Sequence, residues 1–190
     1  MCFKIVVIGT SLGGLSALQN ILGNLPSNFP AAIVIVQHRH KESDETFKVL
    51  LQEYTVLPIQ EVEDKYEIIP GRVYLAPADY HLLVEPGYFA LSIDQPVSYA
   101  RPSIDVLFES AADTYAERVI GLILTGANQD GKQGLKKVKA RGGITIVQEP
   151  STAQSPIMPA AAIADLAVDW ILPLPDISHL LVNLCHSTGN

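Results

Sequence analysis

Ile5-Val6-Val7-Ile8-Gly9-Thr10-Ser11-Leu12-Gly13-Gly14 is the stretch whose reading decides the fold. An apolar run suited to a buried strand ends at a glycine-flanked serine, and residues 15–22 then follow at amphipathic spacing. A hydroxyl on such a strand-to-helix turn stands clear of the sheet, beside the free N–H groups of a helix N-terminus. Gly9-Thr10-Ser11-Leu12-Gly13 fits G-x-S-x-G, in which small residues permit the sharp turn. On its own the pattern leaves Ser11 as a nucleophile, a phosphate ligand or a helix cap.

Working outward, two further apolar runs end in the residue types that a serine nucleophile needs. Ala31-Ala32-Ile33-Val34-Ile35-Val36-Gln37 runs into His38, and Val119-Ile120-Gly121-Leu122-Ile123-Leu124 leads through Thr125-Gly126-Ala127-Asn128-Gln129 to Asp130-Gly131. Uninterrupted runs of this kind read as parallel strands buried on both faces. The carboxyl ends of such strands share one edge, where ligands of open α/β sheets bind. Ser11, His38 and Asp130 are therefore expected on a common rim.

The rest of the chain alternates strand and helix. Helical spacing recurs at Phe47, Leu50, Leu51 and Tyr54 behind the acidic start Ser43-Asp44-Glu45. Turn residues then punctuate short runs at 73–75, 82–84 and 89–93, which reads as an antiparallel hairpin addition near one sheet edge. Ser103 opens a helix with Ile104, Leu107, Phe108, Ala111 and Tyr115 on one face; Leu135 and Val138 mark another, stopped at Gly142-Gly143. Strands at 144–147 and 170–172 and helices at 156–164 and 177–184 complete the pattern. The expected fold class is α/β: a doubly wound, mostly parallel sheet with helices on both faces and a β-hairpin addition, forming a single domain over 1–190.

Composition narrows the function classes. With 48% apolar and 17% charged residues, the 190-residue chain reads as a packed globular domain. A formal net charge of −7 argues against a general nucleic-acid binder, and no apolar run reaches the length of a membrane span. No secretory signal is evident at the N-terminus, and Cys2 and Cys185, near opposite termini and in no paired-cysteine motif, suit a reducing compartment, so a cytoplasmic location is expected.

These residues resemble the catalytic domain of the chemotaxis protein-glutamate methylesterases. The resemblance spans essentially the whole chain. It is carried by residues 8–14, Gln37-His38, Pro70-Gly71 with Tyr74-Leu75-Ala76-Pro77 and Asp79-Tyr80-His81, Arg101-Pro102-Ser103-Ile104-Asp105-Val106-Leu107-Phe108, and Leu122-Ile123-Leu124-Thr125-Gly126 ending in Asp130-Gly131. It implies a Ser-His-Asp hydrolase that demethylates glutamate methyl esters on the signalling helices of methyl-accepting receptors, with glutamine deamidation common among members. Carried over by position, Ser11 is the nucleophile, His38 the general base and Asp130 its orienting acid. Backbone N–H groups of Leu12 and Ala127 are the oxyanion-hole candidates, and Arg101 and His81 the candidate substrate contacts, with packing the alternative for His81. Arg39, Lys41 and Arg101 flank the rim and are candidates for steering acidic helices.

The chain departs from the family pattern at named positions. Leu12 stands where threonine is frequent, Ala127 where methionine is usual, Asn128-Gln129 replaces Gly-Asn, and no proline follows His38-Arg39-His40-Lys41. The family's N-terminal receiver domain is missing from this sequence. A stand-alone esterase answering to a separate regulatory protein, or a piece of a longer chain, is the expectation. No cofactor is implied. The pair His38 and His40 has the spacing of two ligands on one strand face, but no further ligand has diagnostic spacing, so no metal is expected. A nucleotide- or phosphate-binding module and a non-catalytic methylesterase-like binding domain remain the alternative functions.

Overall fold

Strand β1 (Ile5–Thr10) is buried at all six positions, as a run without polar alternation demands. Side chains alternate across its two faces: Val6 and Ile8 enter one hydrophobic core, Ile5 and Val7 the other. The computed structural model describes residues 4–38, 46–164 and 166–186. Among them, β1 lies inside a seven-stranded parallel sheet with β2 (Ala32–Gln37), β3 (Ile59–Glu61), β4 (Val73–Leu75), β7 (Val119–Ile123), β8 (Ile144–Gln148) and β9 (Trp170–Leu172). The order is β3-β4-β2-β1-β7-β8-β9, parallel at every pairing.

Helices α1 (Gly14–Gly23), α2 (Thr46–Gln52) and α6 (Leu174–His186) contribute to the core on one face. The opposite core receives α3 (Ile104–Tyr115), α4 (Lys132–Ala140) and α5 (Ile157–Ala164). Ser103 caps α3, accepting from the Val106 N–H at 3.5 Å, and Gly142 takes the left-handed conformation (φ +83°) just past α4. The acidic start expected for α2 lies outside the described residues.

The middle of the chain differs in detail from the sequence reading. Only β5 (His81–Glu85) and β6 (Tyr88–Ser92) form the antiparallel pair, and they make a separate two-stranded sheet. Residues 73–75 join the main sheet in parallel, between β2 and β3. The hairpin is fastened to α3 instead, where Ser110 Oγ accepts from the Val84 N–H at 3.0 Å and Thr114 Oγ1 donates to the Val84 carbonyl at 2.9 Å. β3 escapes the sequence pattern because a three-residue edge strand with one buried apolar side chain carries no period.

From β1 the chain winds outward through β2 and its neighbours, then returns to β1's other side as β7. The strand order therefore reverses at β1 and β7, and the crevice at their carboxyl ends is the switch point of the sheet.

Candidate active site

Backbone bonds continue the ladder past the strand ends and draw three loops together. The His38 N–H donates to the Thr10 carbonyl at 3.1 Å, and the Ser11 N–H to the Thr125 carbonyl at 3.0 Å. Thr125 ties the crossing. Its hydroxyl donates to the Leu12 carbonyl at 2.8 Å and accepts from the Ser155 N–H at 2.9 Å, while the Thr10 hydroxyl donates to its carbonyl at 2.8 Å. Gln37 adds a brace, its amide donating to the Ser11 and His38 carbonyls, both at 2.9 Å.

Glycines let these loops close. Gly13, at φ +84°, turns the chain into α1. A side chain on Gly126 would sit 3.0 Å from Ser11 Cβ and collide with the Met158 sulfur. A side chain on Gly14 would overlap Gln37 Oε1, a buried oxygen that accepts no hydrogen bond among the described residues.

Asp130, 1% exposed, sits at the N-terminus of α3. It accepts from Ser103 Oγ at 2.9 Å, the Ile104 N–H at 2.7 Å, the Asp105 N–H at 3.0 Å and His38 Nε2 at 2.8 Å. Burial alone would push this carboxyl up, but the His38 bond and the two helix N–H groups hold it below the ordinary carboxylate range. Asp105, beside it, shows the opposite balance. Burial is the main cause, with the Asp130 and Glu109 charges adding to it, and it is pushed up to about 6 despite the Gly134 N–H at 2.7 Å.

The His38 tautomer follows from its neighbours. An ionised carboxylate only accepts, so Nε2 carries the proton; the Asn128 amide Nδ2, which only donates, lies 2.9 Å from Nδ1 and leaves it the acceptor. Asn128 Oδ1 is itself held by the Asp130 N–H at 3.1 Å. His38 and Ser11 line one cavity of about 620 Å³ with Leu12, Gln19, Phe47 and Gln154, but Ser11 Oγ and His38 do not hydrogen-bond each other. The N–H groups of Leu12 and Ala127 donate to no partner among the described residues. Leu12 is 54% exposed, and Ala127 is exposed as well.

The remaining candidates divide. His81 is buried, its Nδ1 accepting from the Ser103 N–H at 3.2 Å and its Nε2 facing the Gln95 carbonyl at 3.1 Å; it lines neither recess beside His38. It packs. Arg101 borders a second recess of about 210 Å³ with His38, Tyr99 and Asn128. Its guanidinium is bound to Asp79 at 2.7 and 3.1 Å and to the Ile93 and Asp94 carbonyls. Arg39, His40 and Lys41 lie outside the described residues. Among the described residues no cluster of three or more His, Cys, Asp or Glu side chains could hold a metal ion.

Sequence reasoning passed over Thr125 as a brace and Asn128 as a partner of the imidazole. The first was readable as a polar residue ending a buried strand. The second showed only as a departure from the family pattern.

A buried carboxylate on a histidine, beside a serine on a strand-to-helix turn, places the chain among α/β proteins with the constellation of serine hydrolases. Residues 6–181 match the family model described as CheB methylesterase, and the chain belongs to that family. The crystal structure of the Thermotoga maritima CheB methylesterase catalytic domain superposes with a TM-score of 0.93 at 37% identity, over 97% of this chain and all of that one. A Leptospira interrogans relative, provisionally named a protein-glutamate methylesterase/protein-glutamine glutaminase, is 47% identical over 97% of this chain and 96% of its own length. The Thermotoga maritima protein-glutamate methylesterase/protein-glutamine glutaminase is 38% identical, and the match spans 54% of that longer protein.

Proposed function

We propose that this chain hydrolyses glutamate γ-methyl esters on the signalling helices of chemotaxis receptors, and deamidates glutamine side chains by the same acyl chemistry. The observation that carries the reading is His38, fixed by the buried Asp130 carboxylate and opening onto the same cavity as Ser11. The family and the names of its relatives supply the substrate class.

With Nε2 committed to Asp130, the base is Nδ1. Ser11 Oγ attacks the ester carbonyl and its proton passes to Nδ1; the imidazolium that forms is stabilised by Asp130. The tetrahedral oxyanion takes the N–H groups of Leu12 and Ala127, where loss of one donor typically costs about 3 kcal/mol of transition-state stabilisation. Collapse expels the leaving group, which takes the proton from Nδ1 and departs as methanol from a methyl ester or as ammonia from a glutamine side chain. Water, deprotonated by the same nitrogen, then releases glutamate and restores Ser11. Arg101 is the proposed rim contact for acidic receptor helices.

The test is methanol release from methylated receptor, paired with covalent labelling by a fluorophosphonate. Ser11→Ala and His38→Ala should each lower hydrolysis by about 10⁴-fold or more, Ser11→Ala with an unchanged melting temperature and His38→Ala with one lowered by loss of the bond to the buried Asp130. Wild-type rates in either variant would overturn the assignment. Stabilisation by a nucleotide, with no labelling of Ser11, would favour a phosphate-binding role for the same turn.

A further inference from the structure

The nitrogen that must take the serine proton is already occupied. Asn128 Nδ2 donates to His38 Nδ1 at 2.9 Å, while Ser11 Oγ, on the same cavity, makes no bond to the ring. The amide cannot answer by turning over in place, because its Oδ1 accepts from the Asp130 N–H at 3.1 Å and so keeps the NH₂ end on the imidazole. Once Nδ1 carries a proton, that NH₂ group would face another N–H with no acceptor between them.

We propose that Asn128 is a positioning residue that latches His38 in a resting state, and that its amide must leave Nδ1 before Ser11 can be deprotonated. The inference rests on the acyl-transfer reading above. One amide thus does two things: it fixes the ring, with Asp130, in the Nε2–H tautomer, and it withholds the base until the Asn128-Gln129 loop moves. Ala127, next in the chain and an oxyanion-hole candidate, belongs to the same loop, so release of the latch and setting of the hole are mechanically joined. The backbone at 128 has ordinary negative φ, so smaller side chains fit without strain.

The experiment is the rate of Ser11 labelling by a fluorophosphonate in the wild type, Asn128→Ala, Asn128→Gly and Asn128→Asp. It is read beside long-range proton–nitrogen NMR of His38 and the melting temperature. Removing the amide frees Nδ1, so Asn128→Ala and Asn128→Gly should label about five- to tenfold faster, the worth of one released hydrogen bond. The Nδ1 resonance should move to that of an unbonded acceptor. Asn128→Asp keeps an oxygen for the Asp130 N–H but can only accept from the ring; with a carboxylate on each side the ring should hold a proton on Nδ1 as well as on Nε2, switch the NMR signature and slow labelling. A merely structural asparagine would slow labelling in all three variants. Equal or slower labelling in Asn128→Ala and Asn128→Gly than in a wild type that labels overturns the latch alone. Absence of labelling in every form overturns the nucleophile reading and the latch together.

Discussion

A Cβ added at Gly126 would meet two neighbours at once, the thioether of Met158 and the Cβ of Ser11. The methionine is flexible at its end and can give way, but the Ser11 backbone is pinned by the Thr125 carbonyl. An added methyl therefore pushes on the serine. Gly126→Ala should cost about 1–3 kcal/mol in chemical denaturation, as overpacking does, and should lower fluorophosphonate labelling of Ser11 by more than the stability loss explains. Labelling at the wild-type rate would show that the turn has slack. At this scale the common placement of Ser11, His38 and Asp130 was legible in the sequence, while their catalytic roles remain the proposal above. Ser11, His38 and Asp130 announce themselves because each follows a buried apolar run and each has the chemistry the others lack. Asn128 was not, since which nitrogen meets which donor across ninety residues depends on side-chain packing that no local pattern encodes.

Helix α3 acts as a platform for the carboxylate. Its first turn offers Asp130 the N–H groups of Ile104 and Asp105, and the hydroxyl of its capping residue donates to the same side chain. Anion and helix N-terminus stabilise each other. Ser103→Ala removes both the cap and one of the four bonds to Asp130; it should cost about 1–2 kcal/mol of stability and loosen the ring that Asp130 orients. A melting temperature unchanged from wild type would refute that coupling. Helix α3 was predictable, because the capping serine, apolar face and boundaries all agree in the sequence. The destination of β4 was not: a three-residue apolar run reads alike in a hairpin and in a parallel sheet, and only pairing with β2 settles it.

For the whole molecule, acid titration separates two kinds of carboxyl. Asp105 releases its proton at about 6 when folded and near its ordinary value of 3.8 when unfolded. Between those values the folded chain binds more protons, so this group's contribution to stability falls as pH rises through the window and stays unfavourable above it. Asp130, Asp113 and Asp169 are depressed, the first by His38 and helix N–H groups against its burial, the other two with the help of lysine partners. Their stabilisation is present above the unfolded value and is lost as pH falls through the folded ones. Asp105→Asn, which keeps an acceptor for the Gly134 N–H, should be more stable than wild type at pH 7–8, with the difference shrinking as pH drops toward about 4. A difference that is flat with pH would count against the assignment.

The doubly wound path has a practical corollary. Ser11 and His38 precede the β5–β6 hairpin, and Asp130 and its α3 platform follow it. A side chain added at the tip residue Gly87 would meet nothing, although the Gly87 N–H donates to the Tyr115 hydroxyl and its carbonyl accepts from the Ile68 N–H. A single cut at that tip would divide Ser11 and His38 from Asp130, so neither fragment alone would hold all three residues of the proposed triad. Two halves expressed apart would have to find each other before any ester could be cleaved, which makes this scaffold a natural two-piece reporter of proximity.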